Sequence, residues 1–322
     1  MPHVLVAGRI HEAGLALLRA RRDVTFEMLD APDGSEVDER LRHAEALVIR
    51  TARLSPDAVA AAKRLRVVCR HGVGYDNIPL EALNARRIPL AIVGQVNAIS
   101  VAEHALFMML ELAKRGRSYD RAVRRGDWQL RNTFAATELA DKTLLILGFG
   151  RIGREVARRA RAFAMNVLAY DPYVAAETMA AAEVGKVEDW RAELGGVDVL
   201  SVHLPRTAET EGAIGADELS SIRPSAFVIN TARGGIIDEV ALVAALREGR
   251  LAGAGIDAFE REPPNSINPL LSLENLVLSP HSAGLTLESA MRMAVASAEN
   301  ALAGIDGRLD PELVVNPQVL EP

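Results

Sequence analysis

The chain has 322 residues, of which 49% are apolar and 25% are charged, and this composition excludes a disordered or fibrous protein. Because the length exceeds what one hydrophobic core usually organises, we expect two domains. The formal net charge of −6 argues against a nucleic-acid-binding protein, since phosphate recognition normally needs a basic face.

The N-terminal segment and the cysteine content indicate a cytoplasmic protein. The chain opens directly into a strand-like run at Val4, without a charged or long apolar leader. No apolar stretch approaches the roughly 20 residues that a membrane span requires, so no membrane partner is expected. The single cysteine, Cys69, cannot form an internal disulfide, and its apolar surroundings predict an inert core thiol.

Strands and helices alternate over the first hundred residues. Strand-like runs at 46–49 and 67–69 flank a helical pattern at 55–62, which predicts parallel strands with helical crossovers. A further helix is predicted to open at Ser100, which has capping-box spacing to Glu103. Residues 116–141 look irregular and polar. Trp128 and Phe134 in this stretch fit a subunit-contact arm or packing on their own domain equally well.

A second alternating series follows, with strand-like runs at 142–147, 166–170, 197–202, 226–230 and 253–257. The predicted fold class is therefore α/β, with two doubly wound parallel-sheet domains of the Rossmann or flavodoxin type and a cleft between them. Such sheets bind ligands beyond the carboxyl ends of their strands. We expect the functional residues at those ends.

A glycine-rich turn follows the strand at 142–147 and opens a helix. Gly148 permits the tight turn, Gly150 lets backbone approach a pyrophosphate, and Gly153 allows close packing of the helix on the strand. Asp171 ends the next strand, where a carboxylate would accept hydrogen bonds from ribose hydroxyls and repel a 2′-phosphate. The pattern favours NAD over NADP, although a glycine turn followed by a chance acid remains the alternative.

Three later strands are each followed by a chemically apt residue: Arg233, then Asp257 and Glu262, then His281. Taken singly, Arg233 and Glu262 could form a surface ion pair and His281 could be an ordinary loop histidine. Together they meet the needs of hydride transfer to a keto acid. These are a cation for the carboxylate, a proton donor for the oxygen, and an acid that tunes the donor. No metal site is expected.

Seven motifs in chain order resemble the D-isomer-specific 2-hydroxyacid dehydrogenases, the family of phosphoglycerate dehydrogenase, glyoxylate/hydroxypyruvate reductase and D-lactate dehydrogenase. The resemblance spans nearly the whole chain. The motifs are Gly72-Val-Gly-Tyr-Asp-Asn-Ile78, Asn97-Ala-Ile-Ser-Val-Ala-Glu-His104, Gly148-Phe-Gly-Arg-Ile-Gly153, His203-Leu-Pro205, Asn230-Thr-Ala-Arg-Gly234, Asp257-Ala-Phe259 and Pro280-His281.

The resemblance implies a role for each residue that matches a family motif. Arg233 would bind the substrate carboxylate and carbonyl, His281 would be the general acid/base, and Glu262 would pair with His281. The implied NAD contacts, besides the glycine turn, are Arg151, Ile152, Asp171, His203, Pro205, Thr231, Ala232 and Asp257. Backbone amides of Val73 and Gly74 would hold the substrate carboxylate, with Asn97 close by. His203 and His104 are also compatible with purely structural roles.

The family architecture also implies the domain boundaries. Residues 1–99 and 286–322 would form the substrate domain, and residues 100–285 the NAD-binding domain, with connecting helices that start near Ser100 and Thr286. Domain closure would exclude water from the reaction. Family members are commonly homodimers joined through the cofactor domain, and residues 116–141 match the contact arm. We expect a homodimer without a C-terminal regulatory domain.

The substrate is less closely defined than the reaction. Arg50 and Arg70 match positions at which phosphoglycerate-type members carry arginines, and two cations would suit a second anionic group. Each could instead be a solvated strand-end arginine. Phosphoglycerate is favoured, with hydroxypyruvate or glyoxylate reduction next and sulfolactate after them. Two further alternatives are an NAD-sensing corepressor-like binding protein and a formate dehydrogenase. Glu262 argues against the formate dehydrogenase.

Overall fold

The computed structural model describes residues 1–321 and divides the chain into two compact units. Unit 1 comprises Met1–Asn97 together with the described residues from Leu285 onward, and unit 2 comprises Ala98–Gly284. The domain boundaries expected from the sequence lie within two residues of these divisions.

The first part of unit 1 forms a parallel sheet with four helices. The elements are β1 (His3–Ala7), α1 (Glu12–Ala20), β2 (Thr25–Leu29), α2 (Gly34–Leu41), β3 (Ala46–Ile49), α3 (Pro56–Ala61), β4 (Val67–Arg70), α4 (Leu80–Ala85) and β5 (Leu90–Ala91). The sheet has the order β2-β1-β3-β4-β5, and every pairing is parallel. The winding direction reverses between β1 and β3. Ligand sites in doubly wound sheets lie at the carboxyl ends of the strands beside such a reversal.

Unit 2 contains a larger parallel sheet with the order β12-β11-β10-β9-β6-β7-β8, which reverses between β6 and β9. Its elements are α5 (Ala98–Lys114), α6 (Gly116–Arg124), β6 (Thr143–Leu147), α7 (Arg151–Ala162), β7 (Asn166–Tyr170), α8 (Ala176–Ala181), β8 (Gly185–Lys186), α9 (Trp190–Glu193), β9 (Val199–Val202), α10 (Ala216–Ser221), β10 (Phe227–Asn230), α11 (Glu239–Arg247), β11 (Gly253–Ile256) and β12 (Leu276–Leu278). Short 3-10 turns span Trp128–Thr133, Leu194–Gly196 and Pro269–Ser272. The predicted fold class, two parallel-sheet α/β units, is confirmed.

The last long helix, α12 (Leu287–Ile305), belongs to unit 1. Thr286 caps it by accepting a hydrogen bond from the Ser289 amide, so the start expected near Thr286 is confirmed. Gly14 of α1 faces Ala294 of α12, where a Cβ would collide with the Ala294 carbonyl. Short 3-10 turns at Pro311–Leu313 and Pro317–Val319 follow α12.

Two local predictions need correction. The helix expected to open at Ser100 begins at Ala98, and Ser100 is buried within it, where its hydroxyl donates to the Ala283 carbonyl at 2.7 Å instead of capping the helix. The stretch 116–141, predicted to be irregular, contains α6 and a 3-10 turn. Trp128 and Phe134 are 59% and 88% exposed, so neither is buried in its own unit. Over residues 1–321, no helix combines the length and apolarity needed to cross a bilayer.

Candidate functional site

The glycine-rich turn joins β6 to α7 in unit 2 and has room for a ligand at one position. Gly148 has a φ of +93°, and a Cβ there would lie 2.7 Å from the His203 carbonyl oxygen. A Cβ at Gly153 would collide with the Gly148 carbonyl oxygen. A Cβ at Gly150, by contrast, would meet no atom within 4 Å. Because α7 begins at Arg151 without a side-chain cap, its first amides are available donors beside that open position.

Asp171 lies immediately beyond β7 and organises the same turn. Its Oδ2 accepts a hydrogen bond from the Phe149 amide at 2.9 Å, and its Oδ1 accepts one from the Tyr173 amide, also at 2.9 Å. These bonds fix the carboxylate next to the glycine turn. Each carboxylate oxygen keeps a further lone pair that could accept a hydroxyl hydrogen.

Two buried polar atoms at neighbouring strand ends have no hydrogen-bond partner. They are Nδ1 of His203, which follows β9, and Oγ1 of Thr231, which follows β10. Burial lowers the pKa of His203 to about 4, so its imidazole is neutral at neutral pH, and its Nε2 contacts the Ser201 hydroxyl at 2.8 Å. Because buried polar atoms are rarely left unpaired, these two mark positions where a bound molecule could complete the hydrogen bonding.

The other predicted cofactor residues lie in the same loops of unit 2. Ile152 is in the first turn of α7, next to Arg151. The Pro205 carbonyl accepts a hydrogen bond from the Thr210 hydroxyl at 2.6 Å, and the Ala232 amide donates to the Asn230 side chain at 3.0 Å. The open glycine turn and the two unpaired atoms therefore lie where a dinucleotide would need space and polar contacts.

Arg233, Glu262 and His281 come together in unit 2. His281 Nδ1 lies 2.7 Å from Glu262 Oε2, and Glu262 Oε1 accepts a hydrogen bond from the Phe259 amide at 3.0 Å. Burial alone would raise the pKa of Glu262. The hydrogen bond and charge of His281, the Phe259 amide and the charge of Arg233 together lower that pKa below its ordinary value. Glu262 is therefore ionised at neutral pH, beside an imidazole and a guanidinium.

Asp257 shapes the loop that carries His281. Its side chain is 1% exposed, and it accepts hydrogen bonds from the Ser282 amide at 2.8 Å, the Ala283 amide at 3.0 Å and the Ser279 hydroxyl at 2.6 Å. Its backbone carbonyl accepts from the His281 amide at 2.9 Å. The sequence indicated Asp257 only as a cofactor contact. Its part in folding this loop becomes visible only in three dimensions.

The predicted substrate residues lie at the strand ends of unit 1. Arg70 extends across the end of β3, donating to the Ile49 carbonyl at 3.1 Å and also to the Arg50 carbonyl, and its Nε donates to the Gly74 carbonyl at 2.6 Å. Arg50 donates to the Arg9 carbonyl at 3.1 Å. The Arg70–Gly74 bond fixes one end of the loop that carries the Val73 and Gly74 amides.

Among the polar atoms of unit 1 that are buried without a partner are Oδ1 of Asn97, a predicted substrate residue, and both ring nitrogens of His71, which was not predicted to have a role. His71 is 6% exposed. Burial and the charges of Arg50 and Arg70 lower its pKa to about 4. Its place next to Arg70 was the only signal in the sequence, because burial of a single histidine cannot be read from local pattern.

The described residues hold no group of three or more histidine, cysteine or acidic side chains that could bind a metal ion. Cys69 is fully buried in β4, and burial raises the pKa of its thiol. The groups that do lie at the strand ends can transfer a proton, bind a carboxylate and form hydrogen bonds to a ligand.

Comparison with known proteins identifies close relatives. Residues 106–283 match the profile of the D-isomer specific 2-hydroxyacid dehydrogenase NAD-binding domain. A D-3-phosphoglycerate dehydrogenase of Archaeoglobus fulgidus is 39% identical over 99% of the chain, although the chain spans only 60% of that relative's length. A glyoxylate reductase of Korarchaeum cryptofilum is 36% identical over 97% of the chain and 96% of its own length.

Among solved structures, the D-lactate dehydrogenase of Aquifex aeolicus, complexed with NAD and lactic acid, superposes with a TM-score of 0.89. It is 28% identical to the chain, and the alignment covers 99% of both. The resemblance drawn from the seven sequence motifs and the prediction of an NAD-binding domain are confirmed.

Proposed function

Since the chain belongs to the D-isomer specific 2-hydroxyacid dehydrogenase family, we propose that it is an NAD-dependent enzyme that interconverts a small D-2-hydroxy acid and its 2-keto acid. The observation that carries the proposal is the pairing of His281 with Glu262 at 2.7 Å, with the Arg233 charge acting on the same carboxylate. A cation, an acid/base and a tuning carboxylate are what this reaction requires.

The three side chains have distinct parts in the proposed reaction. Arg233 would bind the substrate carboxylate and hold the keto group beside His281. Because His281 Nδ1 is bonded to Glu262, Nε2 is the nitrogen that would give its proton to the keto oxygen during reduction and take it back during oxidation. Ionised Glu262 would stabilise the protonated imidazole. Bound NADH would supply the hydride.

The cofactor would occupy unit 2 and the substrate would be held chiefly by unit 1. Gly148, Gly150 and Gly153 would accept the pyrophosphate beside Arg151 and Ile152, and Asp171 would bind the ribose hydroxyls and disfavour a 2′-phosphate. His203, Pro205, Thr231, Ala232 and Asp257 would complete the NAD contacts. In unit 1, Val73, Gly74 and Asn97 would bind the substrate carboxylate.

Phosphoglycerate is the substrate that the arginine pair favours. Arg50 and Arg70 lie together at the ends of β3 and β4, where two cations would attract a second anionic group. Reduction of glyoxylate or hydroxypyruvate is the second candidate, supported by the glyoxylate reductase that the chain matches along nearly its whole length.

A steady-state panel with NADH tests the function and the substrate together. The acids are phosphohydroxypyruvate, hydroxypyruvate, glyoxylate, pyruvate and sulfopyruvate. We expect NADH oxidation with at least one acid and the highest kcat/KM for phosphohydroxypyruvate. Arg70→Ala should then lower kcat/KM for phosphohydroxypyruvate far more than for glyoxylate. NADH binding without turnover of any acid would instead favour an NAD-sensing binding protein.

We also propose that the enzyme is a cytoplasmic homodimer joined through unit 2. A groove of about 610 Å³ between α5 and α7 is lined by Leu106, Phe107, Leu110 and Phe163, and Phe107 is 50% exposed. Trp128 and Phe134 add exposed aromatic surface on the same unit. A second copy of the chain would cover this apolar surface.

Sedimentation equilibrium should give twice the chain mass, and Phe107→Asp should shift the protein towards the monomer.

A further inference from the structure

His104 lies on α5, outside the set of residues given a part in the proposed reaction, yet it is bonded to the loop that carries His281. Its Nε2 is 2.8 Å from the Ser279 hydroxyl, and the Ser279 hydroxyl donates to Asp257 Oδ1 at 2.6 Å. Direct contact between His104 Nε2 and Asp257 Oδ1 is longer, at 4.0 Å. The serine therefore links the imidazole to the carboxylate.

Hydrogen-bond directions along this chain can be assigned from the groups involved. A carboxylate oxygen accepts, so the single Ser279 hydrogen is used in the bond to Asp257. The contact between Ser279 and His104 then needs its hydrogen on the imidazole. His104 must therefore carry a proton on Nε2 and donate to Ser279, which in turn donates to Asp257. We call this chain of two hydrogen bonds the relay.

The relay ends on the carboxylate around which the catalytic loop is folded. Asp257 also accepts from the Ser282 and Ala283 amides, at 2.8 and 3.0 Å, and these residues directly follow His281. His281 itself has a φ of +52°, a backbone conformation that is uncommon outside glycine and needs support from its surroundings. The contacts that hold the Asp257 side chain in place therefore also hold the backbone from which the His281 imidazole projects.

We propose that His104 is a positioning residue for His281, and that it acts by donating through Ser279 to Asp257. This inference rests on the proposed function for its kinetic consequences, but the relay is a property of the protein without substrate. Loss of the Nε2 donor would leave the Ser279 hydroxyl held by its bond to Asp257 alone, and the Asp257 carboxylate would be less constrained. The His281–Glu262 geometry would then loosen, and the chemical step would slow.

Two substitutions at His104 separate the donor from packing. Gln places an amide N–H near the position of Nε2, whereas Met has a similar length and no donor. We expect His104→Met to lower kcat about tenfold with the Kd for NADH unchanged, and His104→Gln to stay within about threefold of the wild-type kcat. His43→Met, at an exposed site in unit 1, is the matched control and should leave kcat unchanged. Equal kcat values for the Gln and Met variants would overturn the proposal.

A double-mutant cycle and NMR test whether His104 and Ser279 act through the same chain of hydrogen bonds. Ser279→Ala should lower kcat as His104→Met does, and combining the two should cause little further loss, because both break one relay. Additive losses would contradict the relay. In the free protein, ¹⁵N-labelled histidine should show His104 protonated on Nε2, and His104→Met but not His104→Gln should broaden the His281 ring signals.

The NMR result is independent of turnover. If the wild-type protein reduces no keto acid, the proposed function fails while the relay is still decided by these spectra. A His104 protonated on Nδ1 alone, or His281 signals that are the same in the Met variant, would reject the relay even in an active enzyme.

Discussion

At the scale of single residues, His281 is held by contacts that fix both its backbone and its ring. Its amide donates to the Asp257 carbonyl, the two following amides donate to the Asp257 carboxylate, and its Nδ1 is paired with Glu262. A general acid/base works best when its direction is set before substrate arrives. The direction of the remaining ring nitrogen, Nε2, is then set by these contacts as well as by the rotamer preference of the side chain.

Replacing His281 removes the proton donor and leaves the nucleotide-binding turn intact. We expect His281→Gln to lower kcat by roughly two to four orders of magnitude, the range typical for loss of general acid/base catalysis. The Kd for NADH, measured by fluorescence titration, should stay within about twofold, because Gly148–Gly153 and Asp171 are unchanged. Near-normal turnover would remove His281 from the mechanism.

Glu262 should control the pH range over which reduction proceeds. Its pKa is lowered below the ordinary value, so it stays negatively charged throughout the neutral range and favours the protonated imidazole that reduction needs. Neutral Glu262→Gln withdraws that negative charge from the imidazole. The decline of kcat/KM for keto acid reduction at high pH should therefore begin at lower pH than in the wild-type enzyme. Coincident profiles would show that Glu262 does not tune the donor.

At the scale of elements, the start of α7 contains two glycines with opposite requirements, Gly150 at the N-cap and Gly153 in the first turn of the helix. A Cβ at Gly153 would collide with the Gly148 carbonyl oxygen, so the helix can pack this closely only without one, whereas Gly150 faces open space at a φ of −76° that alanine also adopts. One glycine serves packing and the other serves the ligand. The difference can be tested with the same small substitution at both positions.

We expect Gly150→Ala to fold with a nearly unchanged Tm but to weaken NADH binding, because the added methyl group occupies the space left for the pyrophosphate. Gly153→Ala should lower Tm by several degrees, since the methyl group forces α7 away from β6. Thermal unfolding and NADH titration of both variants check this pair of outcomes. A Gly150→Ala variant with wild-type NADH affinity would argue against the pyrophosphate position.

Asp171 at the end of β7 should decide between the two nicotinamide dinucleotides. Removing its carboxylate in Asp171→Ala eliminates the ribose hydrogen bonds and the repulsion of a 2′-phosphate, so the preference for NADH over NADPH should fall roughly ten- to a hundredfold. Because Asp171 also holds the Phe149 and Tyr173 amides, Asp171→Asn, which retains one acceptor oxygen, is the control for loop distortion. An unchanged preference in both variants would reject the ribose assignment.

At the scale of the whole molecule, periodicity and strand-end chemistry were enough to predict two parallel-sheet units and the loops that carry Arg233, Glu262 and His281. The start of α6 had no signal in the sequence, because the N-terminus of this helix has no side-chain cap. Ser100 was misread as a cap because its partner, the Ala283 carbonyl, is 183 positions away. Such contacts depend on tertiary structure.

The same reason explains what the sequence missed at the site. The lack of partners for both His71 nitrogens, and the relay from His104 through Ser279, depend on which groups surround each side chain after folding. Local pattern gives the residue type and the position of a strand, and these were enough to select the residues that follow β10, β11 and β12 as candidates. It cannot give burial or hydrogen-bond direction.

The most direct test of the account is a single-turnover reaction of the full chain with NADH and phosphohydroxypyruvate, followed by loss of NADH absorbance and by chiral analysis of the product. We predict that the wild-type enzyme converts bound NADH and keto acid in equal amounts to NAD and the D-hydroxy acid, and that His281→Gln binds NADH but does so far more slowly. Formation of the L-product, or equal rates for the two proteins, would contradict the central claim.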